Sequence, residues 1–354
     1  MDHSHLTVAD ERSGQGAGAA HLTVTRVNPL EHGEAIKQLF LAHGRKEFPE
    51  FFERAYRDAV ADGATSWIAR NEEGRLCAHV ARFHHTFRYG RRTVHGALLG
   101  NLMVATAYRT FWPALRLVRQ VIEDCRLSGS LDFLYADPNE PSAAILQRTR
   151  FRPVGTLRRF VLPLNDQRRG VALGIRLYRL ITRLPRRTMR LTLTERRASD
   201  LRAAPEPPEA EDMRSLSPVR GASLYRARLV GYPGPSDYWY AVHAGDSQDA
   251  PIGRALVRGP DSRGVAELCV LQCEPPTLLR SLLAALEPRL RQRGIGRLEA
   301  WLMGESPVAR EARRGGFWLR HEQLPIFALP LTSLGAEVVA AGTDWRLLPI
   351  DLDR

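Results

Sequence analysis

Three histidines fall in one alternating stretch, His79, His84 and His85 of LCAHVARFHHTFRY. Imidazole titrates near neutrality and can accept a proton, directly or through water. Strand alternation puts His79 and His85 on one face and His84 on the other, although half-exposed strand histidines are commonly without chemistry. Glu47 and Glu50 lie near the start of a helix, as candidate bases or as favourable charge at a helix N-terminus. Tyr108 and Tyr135 can donate a proton or pack as ordinary aromatics. Asn139, between a short strand and a helix, reads as a cap or as a polar contact to a ligand. Cys269 and Cys273 lie in the apolar run AELCVLQCE, with no second His/Cys pair at zinc spacing nearby, so no metal is implied.

The 354 residues, 44% hydrophobic and 25% charged, suffice for two globular domains. No run of about 18 uncharged apolar residues occurs and the N-terminus lacks a basic start, which excludes a spanning helix or secretory signal and points to the cytoplasm. Four scattered cysteines fit a reducing compartment. The formal charge of +12 is nearly all arginine and is densest from Arg158 to Arg197. Such a field suits phosphate-bearing cofactors, nucleic acid or an anionic membrane surface. Only Phe160 and Tyr178 interrupt it, which does not support base stacking, so RNA is not the favoured partner.

The elements that must position these residues follow from periodicity. Residues 1–20 read as a disordered tail. A strand is expected over His21–Val27, helices from Pro29 to about His43 and over 48–63, and strands over 65–71, 76–89 and 94–105. A helix from Phe111 to about Leu127, a strand over 131–136, a helix over 140–150 and a strand over 151–164 complete an N-terminal domain, 21–165. Residues 166–185 form an amphipathic, arginine-rich helix that bridges domains or contacts a membrane surface. It opens a basic linker, 166–220, whose proline-rich end reads as a loop. From 221 to 354 the order repeats: strands, including 226–232, 237–245, 251–259 and 264–274, then a helix over 275–294, a strand over 297–303, a helix over 306–316 and a strand over 317–331. The echo, about 170 residues apart, argues for a duplicated architecture.

The segments VATAYRTFWPALRLVRQ and YADPNEPSAAILQRTRFRPVG, in that element order, resemble the GNAT N-acetyltransferases, in particular tandem GNAT-like proteins found beside bacterial polysaccharide genes. SLYRARLVGYPGPSDYWYAV and DWRLLPIDLDR are similar to segments of the same relatives. The resemblance implies an α/β (α+β) fold of two tandem GNAT-like domains, each a mixed, mainly antiparallel twisted sheet flanked by helices. It implies an acyltransferase whose donor is acetyl-CoA, another acyl-CoA or the phosphopantetheine arm of an acyl carrier protein. The acceptor is a primary amine of a small molecule or amino sugar. The donor site maps to the fourth strand at Asn101, Leu102, Met103 and Val104, to Tyr108, Arg109, Thr110 and Ala114 in the phosphate loop, and to Asn139. His79, His85, Tyr135 and Glu47 are the implied proton carriers, and Tyr225, Arg226, Tyr238 and Trp239 would line an acceptor groove between the domains.

In the family loop, glycines let the chain approach a pyrophosphate at a helix N-terminus. Here Thr110 and Trp112 occupy the glycine places. RQRGIGR, with Arg291, Gly294 and Gly296, has the family spelling but follows a helix, and Gly294 reads as its C-cap. In the second domain the counterpart, CEPPTLLR, has no glycine and two prolines that lack N–H donors. A catalytically inactive GNAT-derived binding protein and an aminoacyl-tRNA-dependent transferase are the alternative functions.

Overall fold

The structure, a computed structural model, describes residues 22–61, 63–109, 111–164, 191–197, 215–219, 238–244, 252–273, 275–340, 342–348 and 351–352. The first half runs β1 (Thr23–Val27), α1 (Gly33–Leu41), α2 (Phe48–Ala61), β2 (Thr65–Arg70), β3 (Leu76–Tyr89), β4 (Arg92–Val104), a 3-10 turn at Thr106–Tyr108, α3 (Phe111–Ser128), β5 (Phe133–Ala136), α4 (Glu140–Arg148) and β6 (Arg152–Pro163). Strands β7 (Leu191–Arg197), β8 (Ser215–Pro218) and β9 (Tyr238–Ala244) follow, then β10 (Gly253–Arg258) and β11 (Val265–Cys273). A second 3-10 turn (Pro276–Leu278) leads into α5 (Leu279–Gln292), β12 (Arg297–Met303), α6 (Pro307–Arg314), β13 (Trp318–Pro330), α7 (Ser333–Val339) and β14 (Asp344–Trp345). The expected helix over 166–185, the expected strand over 226–232, and Tyr225 and Arg226 lie outside the described residues.

All of the strands belong to one sheet, ordered β1-β2-β3-β4-β5-β13-β6-β12-β11-β10-β9-β7, with β8 on β3 and β14 on β8. Pairing is antiparallel except for β4 with β5, β11 with β12 and β14 with β8. The two halves exchange strands at the centre. β13, from the second half, lies between β5 and β6 of the first, and β6 lies between β13 and β12. No local periodicity encodes this order, because each strand finds its edge only when the other half is in place.

Alternation in the strands separates two faces. On one, α3 and α4 bury Leu117, Val118, Val121, Cys125 and Leu146 against Ala78, Val80, Ala97 and Leu134. On the other, α1 and α2 bury Ile36, Phe40, Phe52 and Tyr56 against Ala81, Phe83 and Leu98. The C-terminal segment returns to this second face, where Trp345, Leu347 and Leu352 join the same core. In the second half α5 and α6 pack Leu279, Leu282, Leu286, Ala309 and Ala312 on β10–β12. The proline-rich end of the linker, expected as loop, contains β8. Its Pro218 pairs with Phe87 and its Leu216 with Tyr89, so an edge supplied by β3 decides its conformation despite its low strand propensity.

The central seam carries its own ion cluster. Arg159 of β6 forks onto Glu299 of β12 (Nε–Oε2 3.0 Å, Nη2–Oε1 2.6 Å) and reaches Glu322 of β13 through Nη1 at 2.6 Å. Arg297 Nε adds a second cation at 2.9 Å from Glu299 Oε1. A forked guanidinium is selective in geometry as well as charge, so this cluster ties the three strands of the seam, β12, β6 and β13, in one register. Replacing Arg159 with Met is expected to lower the midpoint of urea denaturation, because Glu299 and Glu322 lose their shared partner and Glu299 keeps only Arg297. A second expectation compares two glycines. A Cβ on Gly96 would overlap the ring of Phe133 at the first β4–β5 pair, whereas one on Gly155 would meet only the terminal methyl of Met303. Gly96→Ala should therefore lower the melting temperature clearly more than Gly155→Ala, since a packed ring cannot swing aside as a thioether tip can.

Candidate active site

β4 and β5 pair only at Gly96–Phe133, Ala97–Leu134 and Leu98–Tyr135. Beyond Leu98, β4 continues to Val104 with no partner on that edge among the described residues, while β5 is held on its far side by β13. A wedge opens between two parallel strands, and alternate N–H groups of Leu99–Val104 point into it. Such donors, fixed before a reaction begins, suit a carbonyl oxygen that gains negative charge.

A β-bulge lies on this edge. His79 pairs with Met103 and Ala81 with Gly100, so Val80 alone faces both Asn101 and Leu102. Asn101 takes φ 53°, in the left-handed region where asparagine is among the few tolerated side chains. His79, fully buried, has Nδ1 3.0 Å from the Asn101 carbonyl oxygen and Nε2 3.0 Å from Ser66 Oγ. A carbonyl only accepts, so Nδ1 carries the proton and Nε2 accepts from the Ser66 hydroxyl. Asn101 Nδ2 in turn donates to Tyr56 Oη at 2.9 Å. Burial pushes the His79 imidazole down to about 4, against a partial opposing effect of the Asn101 bond. His79 is thus held as a neutral internal imidazole with both nitrogens engaged, not as the proton acceptor its type suggests.

The loop after β4 is pinned from three elements. Ala105 N donates to Cys77 O of β3 at 2.8 Å, Thr106 N to His43 Nε2 beyond α1 at 2.8 Å, and Asn71 Nδ2 to Tyr108 Oη at 2.8 Å. Tyr108 N and Arg109 N close the 3-10 turn onto Ala105 O and Thr106 O. The main-chain donors of 105, 106, 108 and 109 are therefore consumed within the protein. Among the described residues, an anion could meet the Arg109 guanidinium, exposed and steadied by its Nε on Val104 O at 3.3 Å, and the first turn of α3. Trp112 in that turn is 64% exposed, so its indole is not packed between β4 and β5. Pro113 and Ala114 are buried beneath it, and Thr110 lies outside the described residues.

The remaining candidates divide by location. His85 and Tyr135 meet at the vertex of the wedge: His85 Nδ1 is 2.5 Å from Tyr135 Oη, and that hydroxyl donates to Asp351 O at 2.9 Å. His79 and His85 share the α1–α2 face as alternation requires, and His84 stacks on His95 with ring centroids 5.5 Å apart. Asn139 caps α4 through Oδ1 on Ser142 N at 3.1 Å. Glu47, exposed before α2, is held below the ordinary carboxylate range by its own backbone amide and then by Arg45, at 2.6 Å, which makes it a weaker base. Tyr238 and Trp239 lie on β9, with six strands between it and β4, roughly 30 Å away at ordinary strand spacing. The structure does not bring them to the wedge. Sequence reasoning passed over Ser66, Tyr56, His43, Asn71 and Asp351; none has a local pattern, and only an asparagine flanked by small and apolar strand residues hinted at the bulge.

The second half repeats the backbone design with a different filling. β11 pairs β12 from Val265–Arg297 to Leu268–Ala300 and then diverges, with a register shift against β10 between Leu256, opposite Val270, and Val257, opposite Leu268. Here the 3-10 turn begins with Pro276 and runs straight into α5, whose Leu279, Leu282 and Leu283 are buried. Gly294 ends α5 at φ 74°, a helix terminus and not a phosphate loop.

No family model matches the amino-acid sequence, and no curated protein does either; the likeness to known proteins is one of three-dimensional shape. A conserved protein of unknown function from Enterococcus faecalis V583, described as a probable N-acyltransferase, superposes with TM-score 0.63 at 11% identity over 88% of this chain and 73% of that one. A GCN5-related N-acetyltransferase from Anabaena variabilis gives 0.63 at 9% identity, over 89% and 74%. A tandem GNAT protein from the clavulanic acid biosynthesis pathway gives 0.51 at 14% identity, over 88% and 99%. The parallel strands that part beside a bulge, present in both halves, and these neighbours agree: the chain has the fold of the GCN5-related N-acetyltransferases in its tandem form.

Proposed function

We propose that the first half transfers an acyl group from acetyl-CoA or another acyl-CoA to a primary amine of a small molecule or amino sugar. The observation that carries this reading is the wedge between β4 and β5, opened at Leu98–Tyr135 and edged by the bulge at Asn101. In the reaction the amine nitrogen bonds to the thioester carbonyl carbon and the carbon–sulfur bond breaks. The amine releases one proton and the thiolate takes one up. The β4 edge from Asn101 to Val104 would receive the carbonyl oxygen, and Arg109 with the first-turn amides of α3, including those of Trp112 and Ala114, would hold the donor phosphates. At the vertex, Tyr135 would give its proton to the thiolate on leaving its bond to Asp351 O, and the proton released by the amine would replace it through His85. Asn139 stands at the head of α4, across the wedge. The second half, with its leucine-filled turn, serves as scaffold. Tyr225, Arg226, Tyr238 and Trp239 have no assigned task in this reading.

A second reading, a GNAT-derived binding protein without catalysis, is favoured by one observation: four loop amides already have partners inside the protein. Titration calorimetry with acetyl-CoA separates them. The acyltransferase reading expects saturable binding that weakens about tenfold in Arg109→Ala, in line with loss of a charge-assisted contact. It also expects release of free thiol when acetyl-CoA is incubated with a panel of amino sugars. No binding of acetyl-CoA at millimolar concentration would defeat the CoA reading, and acylation seen only from a holo acyl carrier protein would transfer the donor role to that partner. Binding without thiol release from any amine would favour the non-catalytic protein. Salt-sensitive retention on tRNA without acetyl-CoA binding would favour the tRNA-dependent alternative.

A further inference from the structure

The amides that edge the wedge are aimed by residues that do not themselves reach it. A bulge inserts one residue into β4 and thereby reverses which side chains and which N–H groups face each way beyond it. With the bulge in place, Leu102 and Val104 pack against the α3 side and Met103 against the α1–α2 side. Without it, Val80 would pair with a single residue, and those of the amides of 101–104 that now face the wedge would turn toward β3, exchanged for their neighbours. What fixes the bulge is thus what fixes the carbonyl site.

Three hydrogen bonds converge on that corner in series: Ser66 Oγ to His79 Nε2, His79 Nδ1 to Asn101 O, and Asn101 Nδ2 to Tyr56 Oη. Both polar groups of the Asn101 side of the bulge are engaged, the carbonyl by β3 and the side chain by α2. The imidazole itself is wedged by Phe40 of α1, edge-on with centroids 5.8 Å apart, and by Tyr56 of α2 at 6.3 Å. Resting on the donor cleft described above, we propose that His79 is the positioning residue of the acyl-carbonyl site, its Nδ1–H holding the left-handed Asn101 so that β4 presents its amides to the thioester. Because the ring is buried among aromatics, it stays neutral at working pH and keeps Nδ1–H as donor. Ser66 selects that tautomer, since its hydroxyl satisfies Nε2 as an acceptor.

The test compares acetyl-CoA with CoA, because only the former has a carbonyl for the β4 amides to meet. Calorimetry on wild type, His79→Leu, His79→Asn and Ser66→Ala gives the ratio of the two affinities. Asparagine places an amide N–H near the position of Nδ1. His79→Leu is expected to lower the acetyl-CoA to CoA affinity ratio about fivefold relative to wild type, the size of one ordinary hydrogen bond, while CoA binding stays within about twofold. His79→Asn should recover most of the loss. An unchanged ratio in His79→Leu, or an equal loss for both ligands, would overturn the positioning role. Should His79→Leu not fold, Ser66→Ala and His79→Asn decide, with Ser66→Ala expected to lower the ratio. Long-range 1H–15N spectra of the ligand-free protein supply an independent measure, expected to show His79 protonated on Nδ1 alone from pH 5 to 8. A ring protonated on Nε2, or on both nitrogens, would overturn the network whatever the protein binds. Wild type binding neither ligand would instead overturn the donor-site reading, and the carbonyl role with it, while the spectra still judge the hydrogen-bond chain.

Discussion

β5 has four residues, all buried, and its backbone groups must find partners on both edges. β4 satisfies one edge for three residue pairs and then departs. β13 satisfies the other for four, from Pro330–Phe133 to Phe327–Ala136. A strand this short could not stay apart from its parallel neighbour without the second antiparallel partner, since collapse onto β4 would otherwise gain hydrogen bonds. The wedge is open because a strand from the far half of the chain holds one of its walls. β13 in turn leans on β6, and β6 on β12, so the Arg159 cluster that ties those three strands belongs to the same support as the cleft itself.

This dependence explains which features were legible in the amino-acid sequence. Elements whose form is set locally stood out: the alternation of Leu76–Tyr89, the amphipathic period of α3, the Asn139 cap and the Gly294 terminus. Their order was enough to suggest the fold. The exchange of β6 and β13 was not legible, because alternating apolar residues fit any edge that has a complementary face. Nor was the return of the C-terminal segment to the first half, where Asp351 O receives the Tyr135 hydroxyl.

The histidines show the same limit at the scale of one strand. Alternation placed His79 and His85 on a common face, and the structure agrees. Their environments differ because different elements cover that face along its length. Near His79, α1 and α2 seal the surface with Phe40 and Tyr56, so the imidazole becomes an internal hydrogen-bond bridge. Near His85 the cover is the C-terminal segment, and the ring stays half-buried beside the phenol of Tyr135. Residue type nominated both; only packing told a sealed internal imidazole from one that stays half-buried beside a phenol.

The two halves also show what backbone and side chains each contribute to such a site. Both keep the parallel pair that parts, a register shift on the strand before the turn, and a 3-10 turn ahead of the helix. Those features follow from main-chain hydrogen bonding, and a half that lost them could not supply its strand to the shared sheet. The filling is free to change. In the first half the turn stops at Arg109 and leaves a cation at the head of α3. In the second, Pro275 and Pro276 remove two N–H donors and the turn merges with a helix whose leucines close the space. Whatever its filling, the second half supplies β12 and β13, the partners that the first half cannot provide for itself.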